Sequence, residues 1–275
     1  MVTLNYVLIS MDSSLRFASK PCRTAIGRAR ELWSRSTGPR ARLANSQEVY
    51  RFNGTDGNLI WYVRNQKVAS QSIISMLRKE QGSRKFQAFV LPHELAGFPR
   101  RKRGDKTWTV VREPLAAARA AYLEVSRRER GGVQHGSGYR SLPCEPASAS
   151  ARYRAFLRDV RAGRSLGAET FHAFPQALKL SVSSWIDAFV RLERLTDDGP
   201  DSGEALRRRV GVSLASLQYA PPLHATATTT HSPCSFNLTE LAPEMCELYA
   251  ADWACLPYET PAPCVSTQQK MVAYA

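Results

Sequence analysis

Five consecutive apolar residues, Leu59 to Val63, stand between polar neighbours in the segment NLIWYVR. An unbroken apolar run of that length reads as a strand buried on both faces, as in a parallel sheet covered by helices. The preceding residues 46–57 are polar and end in Asn-Gly and Asp-Gly, a turn signal. After the strand come Asn65-Gln66-Lys67-Val68-Ala69-Ser70-Gln71-Ser72, and then Ile73, Ile74 and Leu77 at helical spacing. The unit is strand, tight turn, helix. A second such unit follows, in which Thr107 to Val111 (TWTVV) is a short β-rich run ended by Arg112-Glu113-Pro114. Pro114 opens a helix, since proline is tolerated in the first turn. Leu115, Ala118, Tyr122 and Val125 line one face of that helix, and Arg127, Arg128 and Arg130 complement its C-terminal dipole.

Further along, residues 131–150 are rich in Gly, Ser and Pro and read as a surface loop. Tyr153 to Val160 has a helical pattern, and Asp187 to Leu195 fits helix or strand equally. Glu204 to Leu214 predicts a helix, residues 219–235 a Pro- and Thr-rich loop, and Glu244 to Leu256 a helix opened by Pro243. The alternation predicts an α/β fold of three layers, with a mainly parallel central sheet and flanking helices.

Length changes this picture little: 275 residues suit one α/β domain with extensions. Charge narrows the partners. Lys and Arg outnumber Asp and Glu by 38 to 24, and a surplus of +14 favours anionic ligands without choosing among nucleic acid, acidic lipid, sulfated sugar and nucleotide phosphates. Eight basic residues in the first 45, with frequent serines, give a basic leader expected outside the core over residues 1–50, with the domain at 51–260 and a tail at 261–275. No apolar run approaches the roughly 20 residues that span a bilayer. The expected state is soluble with the cytoplasm as compartment, and organellar or Golgi-lumen targeting by the leader stays open. Of the six cysteines none forms a C-x-x-C pair, which speaks against structural zinc. Four of them crowd the last 42 residues, where a disulfide and inert buried thiols are both open readings.

The candidate chemistry lies at the two strand ends. A helix opens with backbone N–H groups that lack intrahelical partners, and its dipole favours an anion there. Ala69, Ser70 and Ser72 are small enough for the backbone to approach a phosphate, and Lys67 adds a mobile positive charge. The Walker A pattern is absent, and no aspartate follows the second strand to hold magnesium, so a magnesium-dependent triphosphatase is disfavoured. Arg112, at the end of a neighbouring strand, points to the crevice where open α/β sheets bind ligands. Two anion-ready strand ends imply a ligand with two separated anionic groups.

Here the chain resembles the carbohydrate sulfotransferases of the Golgi type and their soluble relatives. VRNQKVASQSI resembles the family's 5′-phosphosulfate motif R-x-P-K-V-A-S-T-S, and VVREPLAAARAAY resembles its 3′-phosphate motif V-R-D-P-x-x-R-x-x-S-A-Y. Weaker echoes follow in order: His172, Pro175 and Gln176; the segment Trp185 to Asp198; and Tyr249, Asp252, Trp253 and Tyr258. The resemblance covers roughly residues 58–258 and implies a P-loop-like, nucleotide-binding sulfotransferase fold. It implies 3′-phosphoadenosine-5′-phosphosulfate as co-substrate without a metal, and a carbohydrate or other hydroxyl as acceptor. It also implies nucleotide contacts from Lys67, Val68, Ala69, Ser70, Gln71, Ser72 and Arg112. Lys67 would stabilise the leaving phosphate and His93 would be the base; His172 is the second choice for that base. The sequence departs from the motifs at Gln66, Gln71, Ala117 and Ala120, the last standing where the family has a phosphate-binding serine. The departures keep an inactive sulfotransferase-like domain open as an alternative, and the charge keeps open a basic nucleic-acid-binding protein. Against the latter, the chain has no zinc-finger spacing and no RNP-like aromatic motif.

Overall fold

The structure is a computed structural model, which describes residues 19–37, 46–54, 57–66, 68–81, 87–92, 104–129, 142–162, 164, 172–180, 186–214 and 238–265. In chain order the elements are α1 (Lys20–Thr37), β1 (Ser46–Asn53), β2 (Leu59–Val63), α2 (Ser70–Gln81), β3 (Gln87–Pro92), β4 (Lys106–Val111) and α3 (Pro114–Glu129). Then come α4 (Ala149–Arg161), α5 (Gln176–Leu180), β5 (Ala188–Arg191) with a 3-10 turn at Leu192–Arg194, α6 (Gly203–Val210), α7 (Leu238–Met245) and α8 (Ala250–Cys255).

The strands form one five-stranded sheet in the order β3-β1-β2-β4-β5. β2, β4 and β5 run parallel, while β1 is antiparallel to both β2 and β3. Four strands therefore point one way and β1 alone opposes them. Helices cover both faces, and the central strands β2 and β4 are buried along almost their whole length. On one face Tyr62, Trp108, Val110 and Val190 pack with Ile73, Ile74 and Leu77 of α2 and with Leu206 of α6. On the other, Val63, Val111 and Phe189 meet a larger cluster drawn from α1, α3, α4, α5, α7 and α8. This is the expected α/β class, with a mostly parallel sheet flanked by helices.

Several local expectations change. Residues 46–53 form β1, although they read as polar, because Val49, Tyr50 and Phe52 supply the apolar contacts of an inner strand. Asp187 to Leu195 resolves into the short strand β5 and the 3-10 turn. Asp187 fixes the strand to β4: its N–H donates to Thr107 O at 2.8 Å and its carboxylate accepts Thr107 N–H at 2.6 Å. α6 starts on Ser202, whose hydroxyl accepts Ala205 N–H, and stops at Gly211, whose φ of 81° is the left-handed conformation glycine permits. The predicted helix Glu244 to Leu256 is two helices: Pro243 lies inside α7 rather than opening a helix, and turns at 246–249 separate α7 from α8.

α1 lies inside the stretch 1–50 that reads as a basic leader outside the core, yet its Cys22, Ala29 and Trp33 belong to the core. Trp33 is fully buried, its Nε1 donates to Leu248 O at 3.2 Å, and its ring meets Phe174 and Tyr249. Basic residues on α1's outer side carried the leader signal; its buried stripe carries the packing. Disulfides join Cys22 to Cys255 and Cys246 to Cys264, so the start of the expected tail at 261–265 is tied to α7's end. Cys144 is also disulfide-bonded.

Candidate functional site

β2 and β4 are adjacent and parallel, with Tyr62 paired to Trp108. Their C-terminal ends therefore open on the same edge of the sheet, the edge where open α/β sheets bind ligands. From β2 the chain enters the turn at Arg64, and Ala69 O accepts the Ile73 N–H at 3.1 Å as α2 begins. Ala69 has φ 57°, a left-handed conformation that costs a residue with a Cβ roughly 1–2 kcal/mol. Such strain persists where surrounding structure over-determines it, and it clusters at ligand-gripping turns. Val68 is fully buried and anchors the turn in the core, while Ser70 and Ser72 are buried and Gln71 and Ala69 are exposed. Lys67 and His93 lie outside the described residues.

Across the crevice, Arg112 follows β4 and is half-buried. Glu113 caps α3 with its own side chain, accepting the N–H groups of Leu115 at 3.1 Å and Ala116 at 2.7 Å. That carboxylate already neutralises the helix's first amides. With these amides taken, the Arg112 guanidinium supplies positive charge beside the end of β4. Arg119, one to two turns along α3, has its pKa lowered by burial and then by the positive charge of Arg112. Helical side chains lean towards the N-terminus, which brings Arg119 back towards Arg112.

Two amide side chains tie the strand ends together. Asn65, fully buried at the start of the turn, donates from Nδ2 to Val110 O at 3.0 Å and to Gln176 Oε1 at 2.9 Å. Gln176 Oε1 also accepts the Arg112 N–H at 2.9 Å, and its Nε2 donates to Arg112 O at 2.7 Å. Gln176 itself opens α5, where the buried Asp252 carboxylate of α8 accepts the Ala177 N–H at 2.7 Å. Burial pushes the Asp252 carboxyl up to about 6, against the lowering effect of the Ala177 and Gln176 amides and of Lys179. On the far side of Arg112, Glu193 accepts from the Glu113 N–H at 2.8 Å and from the Tyr258 hydroxyl at 2.9 Å. The Arg191 guanidinium lies over the Tyr258 ring, 4.5 Å from its centroid.

The sequence singled out the turn and Arg112, and the fold brings these to one edge. It did not single out Asn65, Glu113 or Glu193, whose roles depend on partners far along the chain. Gln176, Asp252, Tyr249 and Tyr258 stood out only as weak echoes of a motif pattern. All four lie around this edge or its support, and the Tyr249 hydroxyl donates to Ala173 O at 2.9 Å just before α5. His172, the second choice of base, is buried, and its carbonyl accepts from Lys179 Nζ at 3.2 Å. Among the described residues no group of three or more His, Cys, Asp or Glu side chains is arranged to hold a metal ion. Compared with models of known families, with curated proteins and with solved structures, the chain matches none.

Proposed function

We propose that the chain is a sulfotransferase that takes its sulfuryl group from 3′-phosphoadenosine-5′-phosphosulfate and moves it to a hydroxyl, with a carbohydrate as the acceptor class. The observation that carries this reading is the pairing of two anion-ready strand ends on one edge of a parallel sheet. One is the strained turn from Asn65 to Ser72 that opens α2; the other is Arg112 after the adjacent strand β4. Neighbouring strands sit about 5 Å apart, a spacing that lets one nucleotide engage both ends. The α2 amides and Lys67 would take the 5′-phosphosulfate. Arg112, whose guanidinium fork matches a phosphate bidentately, would take the 3′-phosphate.

In the reaction the acceptor oxygen bonds to sulfur in line as the bond from sulfur to the bridging phosphate oxygen breaks. The electron pair of that bond stays on the phosphate, and the hydroxyl proton passes to a base, the role the resemblance gives to His93. Lys67 stabilises the charge that grows on the bridging oxygen. The products are a sulfate ester and adenosine 3′,5′-bisphosphate. The disulfides Cys22–Cys255 and Cys246–Cys264 favour an oxidising, secretory or luminal setting over the cytoplasm. No described helix is long and apolar enough to cross a membrane.

The test is transfer of labelled sulfate from the donor to a panel of glycans, with Lys67→Ala alongside. Lys67→Ala is expected to lower turnover at saturating donor by about 100-fold or more, since its charge matters most in the transition state. Equal turnover in the two proteins would remove Lys67 from this role, and no transfer to any acceptor by the wild type would count against the function itself.

A further inference from the structure

We propose that Gln176 is a positioning residue that holds the two strand ends in register for a ligand with two anionic groups, an inference resting on the donor reading above. A primary amide carries an acceptor oxygen and a donor nitrogen side by side, so one side chain can accept from the N–H and donate to the C=O of a single residue. Gln176 does this at Arg112, accepting its N–H at 2.9 Å and donating to its C=O at 2.7 Å, as a neighbouring strand would. The second lone pair of Oε1 takes Asn65 Nδ2 at 2.9 Å, so the turn after β2 and the residue after β4 hang on one atom. Gln176 is nine-tenths buried or more, where an unmade hydrogen bond is costly and the orientation is therefore held. Asp252 fixes the base of this device by accepting the Ala177 N–H, which anchors α5. Gln176 works through Arg112 and Asn65. It sets where the Arg112 side chain departs from the strand and how far that point lies from the turn.

A purely structural glutamine would, when replaced, weaken binding of every nucleotide alike. A positioning glutamine should affect the ligand that uses both ends. The experiment is calorimetry on the full chain with adenosine 3′,5′-bisphosphate and adenosine 5′-monophosphate, for wild type, Gln176→Met, Arg112→Ala and the double variant. Methionine keeps the volume and removes the three hydrogen bonds. Gln176→Met should lower the preference for the bisphosphate about tenfold, the scale of one misdirected charge-assisted contact, with monophosphate affinity held within about twofold. Added to Arg112→Ala it should lower the preference no further, because both act on one contact. A folded Gln176→Met protein with the wild-type preference overturns the proposal. Should that variant not fold, Asn65→Ala, which leaves both Gln176–Arg112 bonds intact, should lower the same preference, and an unchanged preference overturns it. A wild type that binds neither nucleotide defeats the donor reading instead. The latch is then decided by amide exchange at Arg112, expected to be about tenfold faster or more in the variant and unchanged if the proposal is wrong.

Discussion

At Arg112 the proposed grip on a second phosphate rests on few groups. Ala120 carries no hydroxyl, and Glu113 occupies the N–H groups of Leu115 and Ala116. Arg112→Ala is therefore expected to remove most of the discrimination between adenosine 3′,5′-bisphosphate and adenosine 5′-monophosphate, a loss of about 1.5–3 kcal/mol for a charge-assisted bond. Titration calorimetry reads it directly, and a wild type that binds both nucleotides equally would refute a 3′-phosphate site. Asp252 gives a second prediction at this scale. Its carboxyl is buried and pushed up to about 6 from 3.8, so the folded chain binds its proton more tightly than the unfolded chain. The contribution to stability is complete below about 3.8 and is lost as pH rises through about 6. Asp252→Asn keeps an acceptor for Ala177 and cannot ionise. The variant should therefore lack this downward slope of stability and gain on wild type above pH 6, by at most about 3 kcal/mol. Denaturant melts of both proteins at pH 4 and pH 8 measure the difference, and parallel pH profiles would rule the titration out.

At the scale of elements, the turn between β2 and α2 is held by what surrounds it more than by its own residues. Ala69 sits at φ 57° and is exposed, with Val68 buried on one side and the hydrogen bond from Ile73 on the other. Ala69→Gly should relieve most of the steric cost and lose part of the gain to a freer unfolded chain, for a net stabilisation of about 1 kcal/mol. A thermal melt that falls instead would show that the Ala69 methyl makes a contact worth more than the strain. This strain was not legible in the sequence, because nothing in the residue type of Ala69 marks a left-handed backbone. The strands β2 and β4 were legible because their apolar runs record burial on both faces. β1 was not, since Val49 and Tyr50 stand side by side among charged and polar residues and give neither an unbroken apolar run nor a clean alternation, and its neighbours β2 and β3 are set by pairing across the chain. Arg112 was legible from its place after an apolar run. Gln176 acquires meaning only when α5 is folded against β4, 64 residues away in sequence.

At the scale of the whole molecule, the first fifty residues test how the chain is bounded. Composition marks them as a basic leader, whereas the fold uses α1 as a wall of the larger core, against α4, α5 and α8. Two contributions set the size of the effect if that wall is removed. Losing a fully buried tryptophan such as Trp33 costs about 3–5 kcal/mol, for lost transfer energy and the cavity left behind. Losing a cross-link between residues 233 apart, as Cys22 and Cys255 are, costs about 3–5 kcal/mol, chiefly by freeing the unfolded chain. Domains have a total stability of about 5–15 kcal/mol, so a chain lacking residues 1–37 is expected to be largely unfolded at room temperature. The loss should reach the candidate site, because α1 packs on α5 and α5 carries Gln176 to Arg112. Circular dichroism and calorimetric melting of the full and shortened chains, with Trp33→Ala as a milder variant, measure this. A shortened chain that keeps the melting temperature of the full one would return α1 to the status of a leader. Reduction of the full chain should lower its melting temperature while Trp33 keeps α1 docked, and the Cys22→Ala/Cys255→Ala variant should melt lower for the same reason and respond less to reductant.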